Sequence, residues 1–236
     1  MAKKGKLAKF AGEPSEQRPV RFRRYQYLFL IVCEDEKTEP TYFRQFEQQI
    51  PPDTIFLKTI GTGCDAKGVV EKTLEERDML SVVAKREVDV TWAVFDTDDA
   101  GENLTKVQRF QDAFKIGEEN NINLAYSNEV FELWLLLHLT AIDSRTPLPR
   151  VEVYRLLQEH VRRHPGFPDF EYEHGNIKIL ETLHAVGTQD KAIERAAALL
   201  KQHKSREPIN ANPSTKVHLL VQDLLSWIQY YSYEPE

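Results

Sequence analysis

The run YLFLIVC, Tyr27 to Cys33, is apolar at every position and ends directly in the acids Glu34, Asp35, Glu36 and Glu39. A strand without a polar face has no side to offer to water, so it must be covered by helices on both faces. That requirement points to a parallel sheet. From Tyr25 onward, short β-like runs alternate with longer stretches of helical spacing, as helices packed on the faces of such a sheet require.

Pro40 suits a first helical turn, Tyr42, Phe43, Phe46 and Ile50 fall on one side, and Pro51 and Pro52 stop the helix. TIFLKTI (54–60) is the second strand. The loop GTGCD then leads to a charge-rich helix that Asp65 can cap and that runs to about residue 87, carrying Val69, Val70, Leu74 and Val83. VTWAVF (90–95) is the third strand, and the loop DTDDAGEN separates it from a helix with Leu104, Val107, Phe110 and Phe114 on one side. INLAY (122–126) is the fourth strand, and a helix around 129–140 closes the unit.

The alternation ends near residue 140. SRTPLPR (144–150), with two prolines, reads as a boundary, and only helices are expected beyond it, near 150–163, 176–186, 189–203 and 214–231. The expected architecture is therefore α/β, with a parallel four-stranded sheet flanked by helices over residues 25–143 and a helical region over 150–236. That region reads equally as a second domain or as a cap on the sheet.

At 236 residues the chain can bury a sizeable core. Its longest apolar stretch, VFELWLLLHL (130–139), is broken by Glu132 and His138, and no run approaches the roughly 20 apolar residues of a membrane span. Two cysteines are too few for a disulfide scaffold, and no secretory signal precedes the first strand, so a reducing cytoplasm is the default. The net charge of −6 conceals an asymmetry: residues 1–24 hold eight Lys/Arg against two Glu, a balance of +6 that leaves the remainder at −12. This basic arm is expected to be mobile; it reads either as a phosphate-seeking element or as a solubilising tail.

In an open parallel sheet, functional groups collect where loops leave the carboxyl ends of the strands. The densest acids of this chain lie there, since strand three runs directly into Asp96, Asp98 and Asp99. Clustered carboxylates repel one another unless protons or cations neutralise them. Hard oxygen ligands suit Mg²⁺ or Mn²⁺, and Mg²⁺ takes one or two carboxylates and keeps the rest of its shell for water and phosphate. In an extended segment Asp96 and Asp98 face the same way and reach one ion. Lys37 stands beside them as a phosphate-binding ammonium. Taken singly, each loop reads as solvated acids and helix caps.

Other residues divide between roles. Ser127 and Asn128 at the end of strand four read first as caps of the next helix and second as substrate contacts. Glu132, one turn into an apolar helix, either bonds a basic partner or completes the metal site. His138 shares a face with Phe131, Trp134 and Leu135 and reads as a core histidine. Asn212 or Ser214 reads as the cap of the last helix. GTG at 61–63 lacks the Lys-Ser/Thr of a phosphate-binding P-loop, so this chain is not expected to hydrolyse ATP.

Glutamate after strand one and Asp-x-Asp after strand three, in this order of elements, resemble the TOPRIM domain of primases, topoisomerases and OLD-type nucleases. The blocks FLIVCEDEKTEPTYF, VFDTDD, AYSNEVFELWLLLHL and NPSTKVHLLVQDL resemble, in the same order, the RloB family of bacterial defence-associated proteins, over roughly residues 21–228. The resemblance implies that Glu34 is the first-loop catalytic glutamate, that Asp96 and Asp98 are a metal-binding pair, and that Glu39 fills the second acidic position. Asp99 or Glu39 would serve a second ion, and Lys178 is a substrate contact from the helical region. Asp35 stands where the TOPRIM pattern has glycine, and Glu129 where proline is expected after Ser-Asn.

The resulting expectation is a Mg²⁺- or Mn²⁺-dependent nuclease acting on DNA or RNA in antiphage defence, beside an ATPase of ABC or AAA type, with self-association left open. The alternative is a non-catalytic subunit that keeps the fold and uses its acids to recognise nucleic acid or protein. A third reading, phosphotransfer through Asp96 as nucleophile, would require a phosphoaspartate.

Overall fold

The computed structural model describes residues 21–98 and 103–233. Its centre is a five-stranded sheet in the order β2-β1-β3-β4-β5. Strands β1 (Tyr27–Cys33), β2 (Ile55–Gly61), β3 (Val90–Asp96) and β4 (Asn123–Asn128) are mutually parallel. The two-residue β5 (Ser214–Thr215) runs antiparallel to β4. All seven residues of β1 are buried, as an apolar central strand requires.

The helices are α1 (Thr38–Arg44), α2 (Ala66–Ala84), α3 (Leu104–Glu119), α4 (Glu132–Leu139), α5 (Arg150–Arg162), α6 (Lys178–Val186), α7 (Gln189–Gln202) and α8 (Val217–Ser232). A 3-10 turn, Gln45–Gln49, continues α1. Alternate residues of each strand feed opposite cores. Leu30, Val32, Ala93 and Phe95 pack with Val69, Val70 and Leu80 of α2 and Phe110 and Ala113 of α3. Phe29, Ile31, Trp92 and Val94 belong to the other core, which also takes Phe43, Trp134, Val153, Leu183, Leu199 and Leu224 from α1 and α4–α8. The C-terminal helices thus cover one face of the sheet and share its core. Tyr27 stacks on Trp227 with ring centroids 4.1 Å apart, and the Trp92 indole donates to Asp223 at 2.8 Å, fastening α8 to β1 and β3.

Two expectations are corrected. The sheet has five strands where four were expected: β5 is too short for any periodicity to announce it, and it joins the edge of β4 through residues 88 positions away, with Ser127 Oγ 3.0 Å from Thr215 Oγ1. For the same reason Ser214 does not cap the last helix. That helix begins at Val217, whose N–H donates to Thr215 Oγ1 at 3.2 Å, while Asn212 Oδ1 accepts from the Leu148 N–H at 2.7 Å. The basic arm lies outside the described residues up to position 20, as does Asp99.

β1 is flanked by β2 on one side and β3 on the other, so the chain direction across the sheet reverses between β1 and β3. In open α/β sheets the crevice beyond the carboxyl ends at such a reversal is where ligands are held.

Candidate active site

Glu34 and Asp96 are the first acids to emerge at that crevice. The Glu34 N–H donates to Val94 O at 2.9 Å, continuing the ladder one step past β1. Its carboxylate turns back, and Glu34 Oε2 accepts from the Asp96 N–H at 3.0 Å. Asp96 Oδ2 accepts from the Phe131 N–H at 3.0 Å, whereas Asp96 Oδ1 is buried with no hydrogen-bond partner.

The first loop is held by two reciprocal bonds. The Asp35 carboxylate accepts from the Thr38 N–H and caps α1, while Glu39 Oε2 accepts from the Asp35 N–H at 3.1 Å. Asp35 therefore spends its side chain on the start of α1 and its N–H on Glu39, where glycine would leave the backbone open to a phosphate. Gly61, at the end of β2, explains how the loop fits. A Cβ there would stand 2.5 Å from Asp35 O and 2.5 Å from Glu36 Cα, so only glycine lets the acidic loop lie against β2.

Crowding and burial act on these acids together. Burial, opposed by the bond from the Asp96 N–H and reinforced by Asp98 and Asp65, raises Glu34 to about 8. Burial, then the charges of Glu39, Glu34 and Glu132, lifts Asp96 well above the usual carboxylate range. Glu39, 1% exposed, is raised by burial and then by Glu34. Three carboxyls whose charged forms oppose one another share this corner, which is the condition under which protons or a cation must be taken up.

A cavity of about 90 Å³ opens beside them, lined by Glu34, Asp96 and Asp98 together with Asp65, Lys106 and Arg109. Extended geometry ends at Asp96. Asp98 has a left-handed backbone, φ 48°, its N–H donates to Glu129 O at 3.0 Å, and its carboxylate pairs with the Arg150 guanidinium. The expected parallel projection of Asp96 and Asp98 is thus replaced by two positions on one cavity wall. Lys106 and Arg109, one turn apart on α3, are the cations that sequence reasoning missed. The signal was available: α3 follows the β3 acids directly, so its first two turns lie over the strand ends.

Arg109 forks onto Asp65, with Nη2 to Oδ1 at 2.7 Å, and Asp65 Oδ1 also caps α2 by accepting from the Gly68 N–H at 3.0 Å. Lys37 is exposed at the start of α1 and does not line the cavity. Lys178 is likewise exposed; its N–H donates to Asn176 Oδ1 at 3.1 Å.

Ser127 and Asn128 are buried and serve the scaffold. Ser127 bonds β5, and Asn128 Nδ2 donates to the carbonyls of Pro208 and Ile209 at 3.0 Å each. Neither caps α4, whose N-cap position is Phe131. Glu129, joined to Asn128 by a cis peptide bond, accepts from the Arg150 N–H at 2.8 Å and from Asn212 Nδ2 at 3.1 Å, tying α5 to the turn after β4. Glu132, 2% exposed, accepts from the Tyr172 hydroxyl and lies 3.4 Å from His174 Nδ1. His138 is a core residue: Nδ1 lies 3.0 Å from Trp134 O, and burial lowers it to about 4.

Among the described residues no three His, Cys, Asp or Glu side chains converge as a ready-made ligand cage. The donor set that is present suits a hard cation that keeps most of its water: Glu34 and Asp96 adjoin, and Asp96 Oδ1 lacks any partner within the protein. Thiolate and imidazole ligands do not border the cavity.

Fold and site together define a mostly parallel α/β protein with a buried acidic centre at the sheet's topological reversal. A family model described as RloB-like protein matches residues 29–224, and the chain belongs to that RloB-like family. No curated protein and no solved structure gives a match. No described helix is long and apolar enough to cross a membrane.

Proposed function

We propose that this chain is a divalent-metal-dependent nuclease of TOPRIM type that cleaves nucleic-acid phosphodiester bonds. The observation that carries the proposal is the buried group of Glu34, Glu39 and Asp96, raised in pKa by burial and mutual repulsion, with Asp96 Oδ1 left without a partner. Such a corner is stable when protonated or when it holds a cation, and near neutral pH a cation keeps the carboxylates ionised. Glu34 and Asp96 would hold Mg²⁺ or Mn²⁺, with Asp98 reaching it when Arg150 lets go. Bound there, the ion supplies Lewis acidity toward a phosphoryl oxygen and a lowered pKa for water. Lys106 and Arg109 meet the phosphate from the α3 side and offset the repulsion that an acidic site exerts on a polyanion. Family membership supports a role in antiphage defence beside a partner ATPase, which fits a chain without a P-loop.

The test is incubation of the pure protein, alone and with its ATPase, with plasmid DNA, single-stranded DNA and tRNA, in Mn²⁺ or EDTA. Cleavage that needs Mn²⁺ and disappears in Glu34→Gln and Asp96→Asn supports the enzyme. A second reading, a non-catalytic recognition subunit, draws on the Asp98–Arg150 pair and on Asp35 standing in the glycine position. Metal-independent binding of nucleic acid without cleavage, unchanged in both variants, would establish it.

A further inference from the structure

The acids have a second wall, built from α4, α5 and the segment before α6, where Glu132, Tyr154 and His174 have no part in the nuclease chemistry described so far. Glu132 is buried in an apolar helix, and its Oε1 takes both the Tyr172 hydroxyl and His174 Nδ1, the latter at 3.4 Å. The Tyr154 hydroxyl lies 3.2 Å from the same nitrogen, and the Tyr154 and His174 rings stack with centroids 6.1 Å apart. The Glu132 carboxylate accepts only, so its approach to Nδ1 favours a proton on that nitrogen and directs the ring. The rest of the imidazole is open, since the His174 side chain is 64% exposed.

Asp35 of the first acidic loop and Arg150, which grips Asp98, are near enough for their charges to act on the imidazole. Glu132 acts in turn on Asp96 and Glu39. Phe131, the residue before Glu132, donates its N–H to Asp96 Oδ2, and Arg150, one turn before Tyr154 on α5, pairs with Asp98, so this cluster adjoins the acids through α4 and α5. A buried carboxylate that orients a half-exposed imidazole is the arrangement by which proteins set up a proton donor.

Resting on the nuclease reading, we infer that His174 is the general acid of the reaction, donating the Nε2 proton to the oxygen that leaves phosphorus, and that Glu132 and Tyr154 position it. Water oxygen bonds to phosphorus, and its proton passes to solvent. The bond from phosphorus to the departing nucleoside oxygen breaks as that oxygen takes the His174 proton. Solvent then returns a proton to His174, so each turnover consumes one water and leaves the imidazole as it began. The bond to Glu132 holds His174 above the usual histidine range, against the opposing effects of burial and Arg150, with Asp35 adding to the rise.

The experiment compares two leaving groups. Polynucleotide loses a poorly stabilised alkoxide that needs a proton, whereas the p-nitrophenyl ester of thymidine 5′-phosphate loses a phenolate that does not. His174→Ala should lower cleavage of single-stranded DNA or tRNA about 100-fold or more and cleavage of the ester less than about threefold. It should also remove the alkaline limb of the pH profile. Glu132→Gln should move that limb to lower pH, and the His174 imidazole resonance should titrate at lower pH in the same variant. Equal losses on both substrates, or full polynucleotide cleavage by His174→Ala, overturns the inference alone. Wild type inactive on both substrates, with the partner ATPase present, overturns the nuclease reading and this inference with it.

Discussion

Asp65 and Asp96 line one cavity and titrate in opposite directions. On the α2–α3 wall, the fork from Arg109 lowers Asp65, with the Gly68 N–H and Lys67 adding to it. On the sheet side, burial and three neighbouring acids raise Asp96. The side chain is the same in both places. What differs is the company: Asp65 has a guanidinium and water, and Asp96 has carboxylates and an oxygen with nothing to bind. A surface acid with a partner is part of the scaffold, whereas a buried acid without one is a demand for a ligand, and only the second kind marks the chemistry.

The sharpest way to break that contrast is to remove the demand. Asp96→Asn keeps the volume and the acceptor for the Phe131 N–H and deletes the charge. If Asp96 holds the metal, nuclease turnover should fall by about 10³-fold or more, and Mn²⁺ binding measured by calorimetry should weaken with it. Undiminished turnover would put the chemistry elsewhere. Metal-free Asp96→Asn should melt no lower than wild type, because it relieves repulsion, and a fall of several degrees would show that the carboxylate is structural.

Next in size is Gly61→Ala. The added Cβ meets backbone atoms of Asp35 and Glu36 at 2.5 Å, and backbone cannot swing aside as a long side chain can. The acidic loop must move, and Glu34 with it. A displacement of about 1 Å at a reacting group costs on the order of 10²-fold in rate. Turnover should drop by about that factor while circular dichroism remains that of the wild type.

How far this site could be read in advance follows the same division. Glu34 and Asp96 were legible because two buried strands run straight into them, and α5, α6 and α7 were legible to within about two residues by helical spacing. Asp98 was half legible. Its place by the cavity followed from Asp-x-Asp, but its left-handed backbone and its pair with Arg150, 52 residues on, have no local signal. Ser127 and Asn128 looked like caps because a helix follows them, yet their partners lie 80 or more residues away in β5 and the 3-10 turn Pro208–Asn210. His174 had no pattern at all. It sits in a stretch without periodicity and gains meaning only because Glu132, buried in an apolar helix, requires a partner.

The contrast also fixes the sign of a pH effect in the metal-free protein. Glu34 is raised from its ordinary 4.5 to about 8, so between these values the folded state binds more protons than the unfolded one. Its stability contribution is therefore complete below about 4.5 and lost as pH rises toward 8. With water reaching part of the side chain, the loss is on the order of 2 kcal/mol. Denaturant midpoints taken from pH 5 to pH 8 in EDTA should fall in wild type and stay flatter in Glu34→Gln. Added Mn²⁺ should restore the upper end of the series, because a ligand of the ionised site stabilises the folded state by mass action.

The smallest effects belong to the partnered wall. Arg109 and Asp65 are each about half exposed, and pairs of that kind contribute about 0.2 to 1 kcal/mol. Asp65→Ala also deletes the cap of α2, worth about 1 kcal/mol, so it should be the more destabilising of the two while leaving Mn²⁺ affinity within about twofold. Arg109→Ala should barely change the melting temperature and should instead weaken nucleic-acid binding, reducing the slope of log affinity against log salt by about one phosphate contact. Were Asp65→Ala to abolish metal binding, the division of the cavity into a structural wall and a reactive one would fail at the wall where it is easiest to measure, and an unchanged salt slope in Arg109→Ala would remove that guanidinium from phosphate binding.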